Sequence, residues 1–209
     1  MDAETNHRQW ATRSGEFSPT YYAHLGPNKV SRSLVSMFEF YLDGRSVSIL
    51  ELGCSSGRHL AHLLEHGFDD LHGIDLNNES FEVMADYFPE LAATGSFRTG
   101  AIEQVVAEYP DDAFDVVYSV ETLQHVHPDD EWVFGELARI TSSLLVTVEN
   151  EGETSDEDPL DTEVKFVNGE IPIYHRNWKQ IFNDCGMISF LDAPGRLDTI
   201  RVFQHPDSG

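Results

Sequence analysis

The residues best suited to chemistry lie at two places where a short apolar run ends. The first is segment 51–57, Glu-Leu-Gly-Cys-Ser-Ser-Gly. Its glycines permit a tight turn and let the backbone approach a ligand closely. The second is Asp75, in the Gly-Ile-Asp-Leu sequence that ends the next apolar run. A carboxylate at such a point can accept hydrogen bonds from both hydroxyls of a ribose. Together the two sites predict a nucleoside-binding protein.

A third candidate region follows the β-branched run 114–120 and reads Glu-Thr-Leu-Gln-His-Val over 121–126. Side chains that could contact a second ligand lie here and on either side of the main motifs: Tyr21, Tyr22, Glu121, His125, Tyr174 and His175. Tyr22, His125 and His175 are the candidate catalytic residues. Imidazole can act as a general base near neutral pH, and the tyrosine is expected to line the same pocket. Structural roles stay open for the histidines, as does plain packing for the aromatic rings.

Short apolar runs alternate with helical periodicity along the chain. Strands are predicted at 47–52, 71–76, near Phe97, and at 114–120, 143–148, 188–191 and 199–203. Helices are predicted at 28–42, 59–66, 80–88 (capped by Ser80) and 102–109, with others starting at Pro128 and Asn177. This succession predicts an α/β fold with a Rossmann-like, doubly wound, seven-stranded and mostly parallel sheet. A C-terminal antiparallel hairpin closes it.

The domain organisation predicted from these elements is simple. Residues 1–45 form an N-terminal helical cap, and residues 46–209 form the ligand-binding domain, within a single domain overall. Residues 149–163 are rich in acids and contain no base, which indicates an acidic loop of the kind that often borders an active site.

The three motifs, in this order and spacing, resemble those of the class I S-adenosylmethionine-dependent methyltransferases over about residues 47–148. The acid-x-Gly-x-x-x-Gly sequence at 51–57 is similar to the first motif of that family. Ser55 departs from the pattern, since glycine is usual there, and so does Ala101, where an acid is common.

The resemblance implies roles for individual residues toward S-adenosylmethionine. The methionine part lies against the 53–57 turn with Glu51 in support, the ribose on Asp75, and the adenine beside residues 76, 101 and 102. The end of the third region faces the sulfonium. The cofactor-binding residues implied are Glu51, Gly53, Cys54, Gly57, Asp75, Leu76, Ala101, Ile102, Ser119 and Val120.

The function implied is methyl transfer to an unidentified acceptor, expected to be a small molecule, with S-adenosylhomocysteine as product. A non-catalytic S-adenosylmethionine-binding sensor or partner subunit is the alternative, because methyl transfer need not use a base. An NAD-dependent dehydrogenase is disfavoured, since residues 53–58 lack two of the three glycines of G-x-G-x-x-G.

Charge narrows the choice of partner. The 13 Lys and Arg against 37 Asp and Glu give a net charge of −24, which disfavours nucleic acids and anionic membranes. No membrane span or secretion signal is recognised, and Cys54 and Cys185 form no paired motif, so the cytoplasm is the expected compartment. The scarcity of lysine favours a halophilic protein over an ordinary acidic one. Oligomeric state is not predicted.

Two histidine groups have side chains that divalent metals accept: His59, His62 and His66 in one, and His125, His127, Asp129 and Asp130 in the other. Neither has a third ligand at a spacing typical of a zinc site, so no metal is expected. The first group is predicted to form a solvated helix face. The acids at 129 and 130 are explained as first-turn residues of a helix.

Overall fold

The structure, a computed structural model, describes residues 1–152, 164–167, 169, 171–195 and 197–206. It contains the following strands: β1 Ser48–Leu52, β2 Asp70–Asp75, β3 Ser96–Thr99, β4 Phe114–Val120, β5 Thr141–Glu149, β6 Val164–Val167, β7 Ile171–Tyr174, β8 Ile188–Pro194 and β9 Thr199–Gln204. Seven of them form one sheet in the order β3-β2-β1-β4-β5-β9-β8, and β6 pairs with β7 separately. The predicted seven-stranded, mostly parallel sheet is confirmed.

The helices among the described residues are α1 Ala3–Ala11, α2 Pro19–Leu25, α3 Lys29–Tyr41, α4 Arg58–Glu65, α5 Ser80–Tyr87, α6 Pro89–Thr94, α7 Ile102–Val106, α8 Val133–Arg139 and α9 Trp178–Asp184. The predicted cap at Ser80 is wrong, because Glu79 is the N-cap residue and the Ser80 hydroxyl bonds elsewhere. Pro128 starts only a 3₁₀ turn, and α8 begins five residues later. No pattern predicted α1, α2, α6 or the β6–β7 hairpin.

The chain packs as two compact units, and the first is Gln9–Val105. Its strands β1, β2 and β3 are parallel, with Leu50 opposite His72 and His72 opposite Ser96. Helices α3 and α4 supply fully buried side chains, among them Phe38 and Leu60. This unit holds the ends of β1 and β2, and therefore the two motifs that opened the sequence analysis.

His59, in α4 of this unit, corrects the prediction of a solvated histidine face. His59 is only 4% exposed, and its Nδ1 lies 2.8 Å from the Ser31 hydroxyl. Burial lowers the pKa of His59 to about 3, so the ring is neutral. The ring therefore belongs to the α3–α4 contact.

The second unit comprises Met1–Arg8 and Val106–Gly209. Strands β4 and β5 are parallel, and β9 is antiparallel to both β5 and β8, which confirms the predicted C-terminal hairpin. Trp178 and Phe182 of α9 are fully buried, as predicted from their helical spacing. Of the predicted acidic loop, Glu149 instead ends β5, and residues 153–163 lie outside the described residues.

No helix in the described part of the chain combines the length and the apolar character that crossing a bilayer requires.

Candidate functional site

A left-handed turn connects β1 to α4 at the first motif. Gly53, Ser55 and Gly57 have φ angles of 65°, 50° and 80°. Ser55 thus adopts the conformation that favours the glycine usual at this position. The positive φ of Gly57 favours glycine, and a Cβ there would lie 2.7 Å from both Leu91 Cδ2 and Met84 Cε, so the ends of these side chains would have to shift. The positive φ angles at these three positions form a tight turn between β1 and α4.

Asp75 holds this turn in place from the end of β2. Its Oδ2 accepts the Ser55 N–H at 2.7 Å, while its Oδ1 accepts the Asn77 N–H and the Ser80 hydroxyl, both at 2.8 Å. Burial raises the pKa of Asp75, and these three bonds oppose that shift. A carboxylate offers about four lone-pair positions, so Oδ2 keeps the capacity to accept from a ligand hydroxyl.

Asn77 links the end of β2 to the N-terminal segment of the same unit. The residue is 5% exposed, and its Nδ2 donates to the carbonyls of Trp10 and Arg13, at 3.4 and 3.2 Å. Sequence reasoning missed this role. Its only local signal was an Asn two residues beyond the strand end, where it also accepts the Glu79 N–H.

The other predicted cofactor residues of this unit lie beside these two features. Glu51 and Cys54 are buried, and burial, then the Asp75 and Glu51 carboxylates, raise the pKa of the Cys54 thiol well above its ordinary value. Ala101 is 5% exposed and lies two residues after β3, and Ile102 opens α7. Leu76 follows β2 and is half-buried.

Tyr22, a predicted catalytic residue on α2, contacts the residue that follows the turn. The guanidinium carbon of Arg58 lies 4.7 Å from the centroid of the Tyr22 ring, which is cation–π geometry. Tyr21 packs edge-on against Tyr22, with centroids 5.4 Å apart. The structure thus brings Tyr22 to the start of α4, within the unit that carries the glycine turn.

In the second unit, Glu149 organises the loop that follows β4. Its carboxylate accepts the backbone N–H groups of Thr122, Leu123 and Gln124 at 3.3, 3.1 and 3.2 Å, and also the Ser119 hydroxyl. Burial raises the pKa of Glu149 to about 7 against the effect of these bonds. Sequence reasoning counted this residue in the acidic loop; its position after the apolar run of β5 was the available signal.

Arg176 holds the same loop through its carbonyl groups. The residue is 4% exposed and donates to the carbonyls of Leu123 and Val126 at 3.4 and 2.7 Å, and to Glu131 at 2.9 Å. Its guanidinium carbon also lies 5.1 Å from the Tyr174 ring centroid. Burial lowers the pKa of Arg176. Loop 121–127 is therefore fixed from its N–H side by Glu149 and from its carbonyl side by Arg176.

The two predicted catalytic histidines differ in their surroundings. His125 Nδ1 lies 2.8 Å from the Pro172 carbonyl oxygen, so this nitrogen carries the proton and donates. Its Nε2 lies 3.4 Å from Gln124 Nε2, and burial lowers the pKa of His125 to about 4. His175 is 5% exposed and packs against Gly152, where a Cβ would lie 2.3 Å from the imidazole Nδ1.

Ser119 and Val120 end β4, as predicted. Ser119 is 1% exposed and its hydroxyl donates to Glu149.

The polar groups of the first unit fit a nucleoside carrying an amino-acid tail: a backbone-lined turn for the tail and a carboxylate for the ribose hydroxyls.

Comparison with known sequences agrees with this chemistry. Residues 49–143 match the family model described as a methyltransferase domain. The O-antigen chain terminator bifunctional methyltransferase/kinase WbdD of Escherichia coli is 31% identical over 111 residues, 49% of this chain and 15% of that protein. The ubiquinone biosynthesis O-methyltransferase of Rickettsia felis is 22% identical over 139 residues, 66% of this chain and 54% of that protein. The chain thus spans between 15% and 54% of the length of these curated relatives.

Solved structures share the fold at low identity. The magnesium protoporphyrin IX methyltransferase of Synechocystis, solved with bound S-adenosylmethionine, has a TM-score of 0.64 at 14% identity and covers 98% of this chain and 92% of its own. Residues 49–143 are thus similar to a methyltransferase domain, and the chain shares its fold with a solved methyltransferase.

Proposed function

We propose that this chain transfers a methyl group from S-adenosylmethionine to a small-molecule acceptor. The observation that carries the proposal is the left-handed turn 53–57 held by Asp75, whose Oδ2 lies 2.7 Å from the Ser55 nitrogen. This arrangement combines the backbone surface and the carboxylate that the cofactor needs. The family model that matches 49–143 supports the same conclusion.

Each cofactor contact then has a residue to make it. The turn from Gly53 to Gly57 receives the methionine part, Asp75 accepts from the ribose hydroxyls, and Leu76, Ala101 and Ile102 bound the adenine. When bound, the cofactor supplies a methyl group that its sulfonium already activates. The protein's task is therefore to orient the acceptor and to exclude water.

Among the candidate catalytic residues, His125 suits a positioning role better than that of a base. Its Nδ1 is committed to the Pro172 carbonyl, and a pKa of about 4 makes the ring a poor proton acceptor at neutral pH. His175 and Tyr22 remain the candidates for contact with the acceptor. Tyr22 belongs to the same unit as the glycine turn and Asp75, and His175 belongs to the same unit as Ser119 and Val120.

The class of methyl acceptor is inferred from the net charge of the chain. A net charge of −24 repels polyanions, which disfavours nucleic acids, although relatives of this family include one named tRNA U34 carboxymethyltransferase. The ubiquinone biosynthesis relative is an example of a methyltransferase named for a small-molecule pathway. An enzyme acting on a small acceptor fits these observations.

Calorimetric titration with S-adenosylmethionine and S-adenosylhomocysteine, in 1 M KCl and with NAD as comparison, tests the cofactor. We expect both sulfur nucleosides to bind, and Asp75→Ala to weaken binding by about 10- to 100-fold through lost ribose hydrogen bonds. Asp70→Ala is the matched control, since Asp70 begins the same strand, is exposed and contacts His72. Equal affinities of the Asp75→Ala variant and the wild type would remove Asp75 from the site.

Methyl transfer itself is tested separately with isotope-labelled S-adenosylmethionine and a panel of hydroxyl, amine and thiol acceptors. Labelled product that forms at a rate dependent on acceptor concentration supports the proposed methyltransferase activity. Tight cofactor binding with no transfer to any acceptor class would favour the sensor or partner-subunit alternative.

A further inference from the structure

The last turn of α4 gathers three side chains that the methyl-transfer site does not use. His62, Glu65 and His66 each offer a ligand atom, and the three atoms lie within 4.8 Å of one another. The two imidazole rings are 4.4 Å apart between centroids. We call this group the α4 cluster. It differs from the histidine group considered in the sequence, because His59 is buried against Ser31 and takes no part.

Hydrogen bonding prepares one imidazole of the cluster as a ligand. His66 Nδ1 lies 2.8 Å from the His62 carbonyl oxygen, so Nδ1 carries the proton and Nε2 keeps its lone pair. Metal-binding histidines commonly donate their second ring nitrogen to a carbonyl in this way. Arg45 Nη1 donates to the His66 carbonyl at 2.5 Å, which fixes the backbone of the same residue.

One pair of ligand atoms in the cluster has the spacing of a first coordination shell. His62 Nδ1 and Glu65 Oε2 are 3.2 Å apart, and ligand atoms on a tetrahedral zinc ion lie about 3.3 Å apart. The sequence His62-Leu-Leu-Glu65-His66 has the H-x-x-E-H spacing, which puts all three side chains on one side of a helix. The Glu65 side chain is 67% exposed, so it can turn toward an ion at little cost.

We propose that the α4 cluster binds one divalent transition-metal ion through two imidazoles and one carboxylate, with water completing the shell. This ligand set suits Zn²⁺, Ni²⁺ and Cu²⁺, whereas Ca²⁺ and Mg²⁺ prefer oxygen ligands alone. The Glu65 carboxylate and the strongly acidic chain attract a cation. The proposal does not depend on methyl transfer, since it places the ion on the outer part of α4.

An ion site and a group of ordinary side-chain hydrogen bonds differ in what metal-free protein does when Zn²⁺ or Cu²⁺ is added. The ion-binding interpretation requires a single site that loses affinity whenever any of the three side chains is changed.

Metal-free protein is titrated calorimetrically with ZnCl₂ and with CuCl₂. We expect one ion per chain, with affinity reduced at least tenfold in both His66→Gln and Glu65→Gln. His72→Ala is the control, because His72 pairs with the carboxylate of Asp70 2.8 Å away and lies outside the cluster. It should bind as the wild type does. Glu65→Gln changes an exposed side chain, so it reports on the site even if His66→Gln unfolds.

Electron paramagnetic resonance of the Cu²⁺ form gives an independent readout. Coupling to two imidazole nitrogens is expected in the wild type and to one in His66→Gln. The absence of a one-ion site in the wild type overturns the proposal. So does a site at which both variants keep the affinity and the nitrogen coupling of the wild type.

Discussion

At the scale of single residues, two opposing effects act on the ionisation of the Glu149 carboxyl group. Burial disfavours its charge, while three backbone N–H groups and the Ser119 hydroxyl favour it. The Glu149 carboxylate thus links three consecutive amides of the loop after β4 to the end of β5. The same arrangement makes folding sensitive to pH near neutrality.

Glu149→Gln tests this sensitivity. Because the pKa of Glu149 is raised from 4.5 to about 7, the folded chain holds a proton in that interval that the unfolded chain has released. The free energy of unfolding should therefore fall by about 3 kcal/mol as pH rises through this window. Urea unfolding from pH 4.5 to 8 measures the free energy of unfolding at each pH. The decrease with rising pH that is due to Glu149 should be missing in the Gln variant. Glu82→Gln, at an exposed helix position, is the control, and equal slopes in wild type and Glu149→Gln would refute the assignment.

Asn77 is a second residue whose effect can be isolated. Loss of its two donated bonds to the Trp10 and Arg13 carbonyls should cost about 1 kcal/mol and loosen the N-terminal segment. We expect Asn77→Ala to speed proteolytic cleavage before α2 several-fold. The neighbouring exposed Asn78 provides the control, Asn78→Ala. Identical cleavage of the two variants would show that Asn77 does not restrain this segment.

At the scale of elements, α3 and α4 are joined by one buried polar contact. Ser31 caps α3 with Asn28, each side chain bonding the other's backbone, and its hydroxyl also meets His59. Ser31→Ala should lower the free energy of unfolding by about 2 kcal/mol, since it removes part of the cap and leaves the buried imidazole without this partner. Ser36→Ala, on the exposed side of the same helix, should be neutral or slightly stabilising. Chemical denaturation of both variants measures these stabilities. Equal stabilities of the two variants would contradict the role of the Ser31–His59 contact.

Elements were predictable where their signal is local. The runs ending at Leu52 and Val120 carry β-rich patterns bounded by glycine or polar residues, and the structure ends β1 and β4 at these residues. Strand β2 ends at Asp75, one residue before the predicted end. The contacts of Glu149 and Arg176 with loop 121–127 were not predictable. They join residues between about 25 and 53 positions apart, and no period in the sequence reports such a distance.

At the scale of the whole molecule, charge is the dominant feature. Thirty-seven acids against 13 bases repel one another, and raising KCl from 0.1 to 1 M shortens the screening length from about 10 Å to about 3 Å. The same screening weakens surface ion pairs such as Lys179–Asp192, but each contributes less than about 1 kcal/mol. Relief of repulsion should therefore dominate, and salt should stabilise the fold.

Thermal unfolding in 0.1 to 2 M KCl measures this balance. We expect Tm to rise by several degrees, because the compact state gains more from screening than the expanded one. A triple variant, Glu82→Gln, Asp86→Asn and Glu90→Gln, removes three exposed negative charges around α5 and α6, and should show a smaller rise. Sorbitol in place of KCl separates screening from solvent exclusion, since it carries no charge. A Tm that is constant or falls with KCl would mean that the ion pairs outweigh the net repulsion, and the halophilic interpretation of the sequence would then be wrong.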